Sequence, residues 1–362
     1  MTILEKTTSV TDLIDEVAGA LQQLPDVDVR SVGVDLQVGN RSFDGIIEGQ
    51  VKGHPVRFFV EARASAYPRD VREAIWQLAN VRCFEHGGAD MPLVAAPAIS
   101  EASRALLREH KLGYWDAGGS LYVDLPWATY LIDRPVPVGR PRPLRNIFRG
   151  SSAQVLHALL NDPTRVWHIG ELAKRAQVSA STVHQVCTFL EQQLWMEKEG
   201  RGALAVRLLR EPGALLDAWA ATHSLAEYEA YRYHRWTQSP DELLRAVTDA
   251  LTSHVVEHAL TLGSGANLSA PHATATDRLW VLVPESAIGR LDDAAGMAGL
   301  RRVEEGETVT FFVVHDRSPL LFKRKVGDFW VTSDVQLYLD LWGWPQRGKE
   351  QAKHLRAERL GY

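Results

Sequence analysis

Residues 44–65 read DGIIEGQVKGHPVRFFVEARAS, and this stretch decides the expected fold of the first third of the chain. Two apolar runs flank a Lys-Gly-His-Pro segment, which predicts two antiparallel strands that turn at residues 53–54. Alternation along a strand places Glu61 and Arg63 on one face, and the hairpin brings Asp44 opposite a residue near Arg63. We therefore expect these three side chains to cluster at one end of a sheet.

The sequence around this hairpin alternates helix and strand patterns up to residue 133. The order helix, three strands, helix, strand, helix, strand pair implies a central mixed sheet with helices packed on it. Five prolines follow from Pro126 to Pro143, and proline favours extended chain because it fixes φ and lacks an N–H donor. We expect an α/β domain over residues 1–133 and a Pro/Arg-rich linker over residues 134–150.

The first domain resembles the restriction-endonuclease-like PD-(D/E)XK fold in this element order and in Asp44 with Glu61-x-Arg63, and Gln77 matches a glutamine that some members carry. In that family two carboxylates hold a divalent metal and a lysine helps to activate water. Arg63 stands at the lysine position, and arginine does not give up its proton. The resemblance implies an inactive domain with no catalytic residues and no metal. If the domain is a nuclease, Asp44, Glu61, Arg63 and Gln77 form its site, and Asp44 and Glu61 hold Mg²⁺. A plain salt bridge between Glu61 and Arg63 is the simpler alternative.

Positive charge is concentrated in one segment of an otherwise acidic chain. The formal net charge is −5, yet residues 134–210 contain twelve Lys/Arg against five Asp/Glu. Phosphate binding needs locally clustered cations and does not depend on the charge of the whole chain. The segment therefore indicates a nucleic-acid partner, with a basic linker that has no partner as the alternative.

Residues 151–211 carry the most specific pattern. ELAKRAQVSASTVHQVCTFLEQQ resembles the winged helix-turn-helix of bacterial transcription regulators, and a hairpin with a Gly-Arg-Gly tip follows it. The third predicted helix has an inward face of Val183, Val186, Cys187 and Leu190, and its outward side chains are small, polar and uncharged. Polar side chains of this kind contact base edges, whereas neighbouring cations contact phosphates. The expected DNA-binding residues are Arg145, Arg149, Lys174, Arg175, Ser179, Ser181, Thr182, His184, Gln185, Thr188, Lys198 and Arg201.

Residues 212–362 form a third predicted domain, of α/β type. A long helical stretch is expected from Pro212 onward, and strands are expected in RLWVLV and TVTFFVVH. The segment WVTSDVQLYLDLWGWPQRGKEQAKHLRAERL resembles the C-terminal region of the AbiEi-type antitoxin and transcription-regulator family, which implies a DNA-binding repressor or antitoxin of the type IV toxin–antitoxin class. The matching positions are Asp334, Gln336, Tyr338, Asp340, Arg347 and Glu350.

Together these patterns predict a multi-domain α/β protein with a restriction-endonuclease-like domain, a winged helix-turn-helix and a C-terminal α/β domain. Two cysteines and the absence of an apolar run of about 18 residues favour a cytoplasmic protein without a membrane span. The expected function is sequence-specific binding of double-stranded DNA as a transcriptional regulator, by a homodimer that needs no cofactor. The alternative is a metal-dependent DNA nuclease that the winged helix targets. No effector ligand or partner protein is identified by the sequence.

Overall fold

The computed structural model describes residues 10–38, 41–78, 89–134, 147–271, 278–345 and 348–362. The chain is a mixed α/β protein with several sheets, and it divides into two compact units. Unit 1 comprises Met1–Pro141 with Gln192–Leu194, and unit 2 comprises Arg142–Glu191 with Trp195–Tyr362. Most of the predicted linker, including Arg145, lies outside the described residues.

Unit 1 is built on one seven-stranded sheet whose strands follow each other in chain order. The pairs β3–β4 and β4–β5 are parallel, and the remaining neighbours are antiparallel. Its elements are α1 (Val10–Gln22), β1 (Val27–Val38), β2 (Arg41–Val51), β3 (His54–Ala62), α2 (Pro68–Leu78), β4 (Ala89–Ala96), α3 (Glu101–Glu109), β5 (Gly113–Asp116), β6 (Leu121–Leu125) and β7 (Ala128–Ile132).

Two separate cores cover the faces of this sheet. On one face, Ile14 and Val17 of α1 pack with Ile47 and Val60 of the central strands. On the other face, apolar side chains of α2 and α3 pack with Phe59 and with other residues of β2 and β4. Glu61 follows Phe59 by two residues, so strand alternation places its side chain on the α2 face.

The β2–β3 hairpin turns one residue earlier than the sequence pattern predicted. Val51 pairs with His54, so Lys52 and Gly53 form the turn and His54 belongs to β3. Both turn residues have positive φ, 50° at Lys52 and 79° at Gly53. Turns with two positive φ values match the twist of paired strands, which explains why the turn settles there instead of at Gly53 and His54.

Unit 2 contains two sheets, one of three strands in the order β8-β10-β9 and one of seven in the order β14-β11-β15-β13-β12-β17-β16. Its helices are α4 (Gly150–Asn161), α5 (Ile169–Ala176), α6 (Ala180–Gln192), α7 (Pro212–Thr222), α8 (Pro240–Ser253), α9 (Leu262–Ser269), α10 (Ile288–Met297), α11 (Ser318–Leu321), α12 (Asp334–Gly343) and α13 (Gly348–Leu355), which continues as a π-helical turn over Arg356–Leu360. Its strands are β8 (Trp167–His168), β9 (Met196–Glu199), β10 (Val206–Leu209), β11 (Glu229–His234), β12 (Ala259–Leu260), β13 (Leu279–Pro284), β14 (Arg301–Arg302), β15 (Val309–Val314), β16 (Arg324–Val326) and β17 (Phe329–Val331).

The first part of unit 2 is a three-helix module that ends in a hairpin. Its order is α4, β8, α5, α6, β9 and β10, and β10 lies between the other two strands. The buried face of α6 consists of Val183, Val186, Cys187 and Leu190, as the sequence pattern predicted. One continuous hydrophobic core joins this module to α7–α13, so the core runs across residue 211 without a break.

The long helical stretch predicted from Pro212 onward is wrong between α7 and α8. Residues Glu229–His234 form β11, which pairs with β15 and β14 in the second sheet. Tyr231 and Tyr233 alternate with Arg232, a pattern that fits a strand as well as it fits part of a helix. Pairing with distant strands decides between the two. The strands expected in RLWVLV and TVTFFVVH are β13 and β15.

Within the described residues, none of the helices combines the length and the apolar character that a membrane crossing requires.

Candidate nucleic-acid interface and carboxylate cluster

The structure brings Asp44, Glu61, Arg63 and Gln77 together at one end of the unit 1 sheet. Gly45 pairs with Val60, and the same register continued by one residue sets Asp44 opposite Glu61. The carboxylate of Asp44 accepts a hydrogen bond from the backbone N–H of Ala62 at 2.8 Å. Nη2 of Arg63 lies 3.0 Å from Oε1 of Glu61 and also donates a hydrogen bond to Oε1 of Gln77 on α2.

The cluster is only partly open to water, and its charges interact. The side chain of Glu61 is 14% exposed and that of Arg63 is 24% exposed. Burial and the negative charge of Asp44 raise the pKa of the Glu61 carboxyl above its usual value, while the charge of Arg63 acts in the opposite direction. Glu73 of α2 adds a smaller effect of the same sign as Asp44.

A cavity of about 360 Å³ opens beside this cluster. Its volume is within the range of small-ligand sites, roughly 300–1,000 Å³. The cavity combines carboxylate, amide and hydroxyl groups with aromatic surface, and its Trp76 side chain is 77% exposed. Its lining residues are Ser42, Phe43, Asp44, Glu61, Trp76, Gln77 and Leu78.

A divalent metal ion at this position needs open carboxylate oxygens, because Mg²⁺ prefers oxygen ligands in octahedral arrangement. Oε1 of Glu61 is already 3.0 Å from a guanidinium nitrogen, and Oδ2 of Asp44 already accepts a backbone N–H. Within the described ranges, no group of three or more His, Cys, Asp or Glu side chains is arranged to hold a metal ion. A cation at Glu61 would face the fixed positive charge of Arg63, so the donor set does not fit a divalent ion.

In unit 2, the outward face of α6 presents the polar side chains that the sequence analysis singled out. Ser181, His184 and Gln185 are exposed, and Thr182 and Thr188 are half-buried beside them. The hydroxyl and amide groups of the serine, the two threonines and the glutamine carry no charge and can donate and accept hydrogen bonds. The imidazole of His184 adds a further hydrogen-bonding group.

Ser179 positions the start of this helix. Its Oγ accepts the backbone N–H of Thr182 at 3.1 Å and lies 2.9 Å from the Thr182 hydroxyl. A serine that accepts a backbone N–H in the first helical turn stabilises the helix start by about 1 kcal/mol. The hydroxyl of Ser179 is therefore occupied in capping the helix, and it also contacts the hydroxyl of Thr182.

The expected phosphate-binding cations fall into two groups. Arg149 forms an ion pair with Glu227, and the guanidinium of Arg175 stacks on the Phe322 ring with 4.9 Å between its Cζ and the ring centroid. Within the part of the chain that the structure describes, Lys174, Lys198 and Arg201 are exposed and make no ion pair.

The hairpin tip carries two glycines with positive φ, 81° at Gly200 and 61° at Gly202, on either side of exposed Arg201. Only glycine adopts this conformation without strain, and the absence of side chains at both positions permits close approach of another surface. Glu197 and Glu199 of β9 are also exposed, so the positive charge of the tip is confined to Lys198 and Arg201.

A buried polar network that sequence reasoning missed joins the three-helix module to α12. The carboxylate of Asp340 is fully buried and accepts hydrogen bonds from Thr261 at 2.5 Å and from Gln336 at 2.7 Å, and its Oδ1 lies 2.9 Å from Nε2 of His223. Gln336 in turn lies 3.2 Å from Nε2 of His157 on α4. The signal in the sequence was Gln336 and Asp340, two polar residues one turn apart on the buried part of α12.

Comparisons with known proteins leave the family of this chain open. No protein-family model matches the sequence, and no curated protein matches it. Among solved structures, the chain is similar to the crystal structure of a repair endonuclease from Pyrococcus abyssi, with 16% sequence identity. The match covers 32% of this chain and 48% of that chain with a TM-score of 0.24, a value that does not establish a shared fold.

Proposed function

We propose that this chain is a transcriptional regulator that binds double-stranded DNA through a winged helix-turn-helix formed by residues 151–211. The observation that carries the proposal is the outward face of α6, where Ser181, His184 and Gln185 are exposed on a capped helix, with exposed cations before and after it in the chain. Helix, strand, helix, helix and hairpin is the element order of that DNA-binding module. The sequence resemblance and the arrangement of side chains point to the same surface.

The dimensions of α6 suit the major groove. The helix has 13 residues, which corresponds to about 20 Å of length at a rise of about 1.5 Å per residue. The major groove of duplex DNA is about 12 Å wide and displays a distinct donor and acceptor pattern for every base pair. His184 and Gln185 would read base edges there, while Lys174, Lys198 and Arg201 would hold the phosphate backbone.

We further propose that the C-terminal part makes the chain a regulator of the AbiEi type, either repressor or antitoxin, and that it acts as a homodimer. The proposal rests on the sequence resemblance of this C-terminal segment, whose polar residues have the following places in the structure. Asp334 forms an ion pair with Arg324 at 2.5 Å, and Gln336 and Asp340 belong to the buried network. Arg347 lies outside the described residues, and Glu350 is exposed.

The network has a consequence for DNA binding. Because His157 of α4 contacts Gln336 of α12, the module is held by the same core as the C-terminal part of unit 2. Under the proposal, the recognition helix is presented in a fixed orientation and does not need to be ordered when DNA binds, which lowers the entropic cost of binding.

The competing function is metal-dependent DNA cleavage. It is favoured by the convergence of Asp44, Glu61 and Gln77 on a cavity of about 360 Å³ in unit 1. The ion pair between Arg63 and Glu61 counts against it, because it occupies the carboxylate that a metal would need. Cleavage also lacks the lysine that activates water in nucleases of this kind.

Fluorescence anisotropy with a labelled duplex from the region upstream of the coding sequence tests the proposal. The double variant His184→Ala with Gln185→Ala should weaken binding to the specific duplex at least about tenfold, since each good pair of base contacts contributes about 1–3 kcal/mol. Lys353→Ala removes an exposed lysine of α13 and serves as the matched control. Equal affinity of the wild type and the double variant would reject α6 as the recognition helix.

A further inference from the structure

In the Asp44–Glu61–Arg63 cluster, the positive charge of Arg63 stands against the negative charges of two carboxylates. Two carboxylates approach each other near the start of β2 and the end of β3, and the guanidinium of Arg63 contacts one of them, Glu61. Arg63 directly follows β3, and its Nη2 contacts both Glu61 at the end of β3 and Gln77 on α2. This arginine is therefore fixed from both the sheet and the helix.

The rest of the Arg63 side chain faces inward. Its Nε is buried without a hydrogen-bond partner among the described residues, and 24% of the side chain is exposed. An arginine that binds phosphate presents its planar fork to the ligand. Here the shared nitrogen Nη2 is bound to the carboxylate of Glu61 and the amide oxygen of Gln77, so it is already engaged by the protein's own side chains.

Half-buried carboxylates that repel each other need a nearby positive charge to remain ionised in the folded protein. A divalent cation supplies that charge in metal-dependent sites. An arginine supplies it at every ordinary pH, because its guanidinium does not deprotonate in proteins. Arg63 supplies such a charge 3.0 Å from Glu61.

We infer that Arg63 is the permanent counter-ion of the Asp44–Glu61 pair and occupies the place in the charge balance that a divalent cation would otherwise take. The chain's own side chain thereby fills the position that a cation would occupy between these carboxylates. Removal of the guanidinium charge leaves two carboxylates with free oxygens and creates a site that binds a divalent cation. This inference concerns unit 1 and stands independently of DNA binding by unit 2.

Titration of the full-length protein with Mn²⁺, followed by electron paramagnetic resonance of the free ion, tests the inference. Arg63→Met keeps an unbranched, flexible side chain and removes its charge. This variant should bind one Mn²⁺ per chain at least about tenfold more tightly than the wild type, because a positive charge beside the ion is lost. At 1 mM Mn²⁺ its melting temperature should rise by about 4 °C, whereas that of the wild type stays unchanged.

Arg57 of β3, the strand that Arg63 follows, offers a matched control. Its guanidinium contacts both carboxylate oxygens of Asp90 at 3.0 Å. Arg57→Met should be destabilised and gain no Mn²⁺ binding. The double variant Glu61→Gln with Arg63→Met should not bind Mn²⁺, unlike the single variant Arg63→Met.

Two outcomes would overturn the inference. The first is Mn²⁺ binding by the wild type as tight as that of Arg63→Met, which would mean that Arg63 does not block the site. The second is absence of Mn²⁺ binding by a folded Arg63→Met protein. If Arg63→Met does not fold, Arg63→Gln is titrated in its place, because glutamine also removes the charge while keeping a polar side chain. Failure of that variant to bind Mn²⁺ more tightly than the wild type counts equally against the inference.

Discussion

A change of pH from 7 to 5 should destabilise unit 2 by about 2 kcal/mol through His157 alone. His157 lies on α4 with no exposed surface, and burial lowers the pKa of its imidazole to about 4. Its Nε2 lies 3.2 Å from Oε1 of Gln336, which identifies Nε2 as the protonated nitrogen of the neutral ring. Its Nδ1 is buried without a partner among the described residues, so a second proton there would add an unpaired charge to the core.

The sign follows from the two pKa values. In the unfolded chain a histidine has a pKa of about 6.5, so the unfolded state takes up a proton as the pH falls below that value. The folded state excludes this proton until the pH approaches about 4. The stability is therefore fully present above pH ~6.5 and declines as the pH falls toward the folded pKa. The total loss is about 3 kcal/mol, of which about 2 kcal/mol has occurred at pH 5.

Urea unfolding at pH 7 and at pH 5, followed by tryptophan fluorescence, measures this loss. Trp219 is a suitable reporter, because its ring centroid lies 4.7 Å from that of His157. The variant His157→Gln cannot take up the proton, so its stability should fall by about 2 kcal/mol less than that of the wild type between the two pH values. If the wild type and His157→Gln lose the same amount, the assignment of the pH dependence to His157 is refuted.

Three further predictions concern other parts of the chain. Asp340→Ala should lower the free energy of unfolding of unit 2 by about 3–5 kcal/mol in urea titrations, because it leaves buried donors without an acceptor. A loss under about 1 kcal/mol would mean that the buried network contributes little to stability. Lys198→Ala should reduce the slope of log affinity against log salt by about 1 in anisotropy titrations, and an unchanged slope, as in the Lys353→Ala control, would remove Lys198 from the interface. Gly19→Ala should stabilise unit 1 by up to about 1 kcal/mol, because its added Cβ meets nothing within 4 Å. Gly49→Ala should unfold unit 1, because its Cβ falls 2.0 Å from a backbone oxygen of β1. Equal melting temperatures of the two variants would contradict both expectations.

Local patterns were sufficient where a segment's partner lies nearby in the sequence. The hairpin of β2 and β3 and the buried face of α6 followed from periods of 2 and 3.6 residues, because one face of each element packs on a core. The turn was misplaced by one residue, since Lys52 and Gly53 compete with Gly53 and His54 until the strand register selects one pair.

Elements that depend on partners far away in the sequence could not be predicted from local patterns. β11 was expected within a helical stretch, and its strand conformation depends on β14 and β15, about 70–80 residues further along the chain. The buried network is a stronger case, because Gln336 and His157 are separated by 179 positions and Asp340 and His223 by 117. No local pattern links such residues. Polar groups on a buried helix face indicate only that partners exist.

The measurement that tests the central claim most directly is a titration of the purified protein against a fluorescent duplex of its upstream region, with and without Mg²⁺ and Mn²⁺, on native and denaturing gels. The account predicts a discrete shift that weakens steeply with salt, does not need metal and leaves both DNA strands intact. Metal-dependent shortening of the strands that disappears in Asp44→Ala would instead make unit 1 a working nuclease. The absence of any salt-sensitive shift would contradict DNA binding through α6.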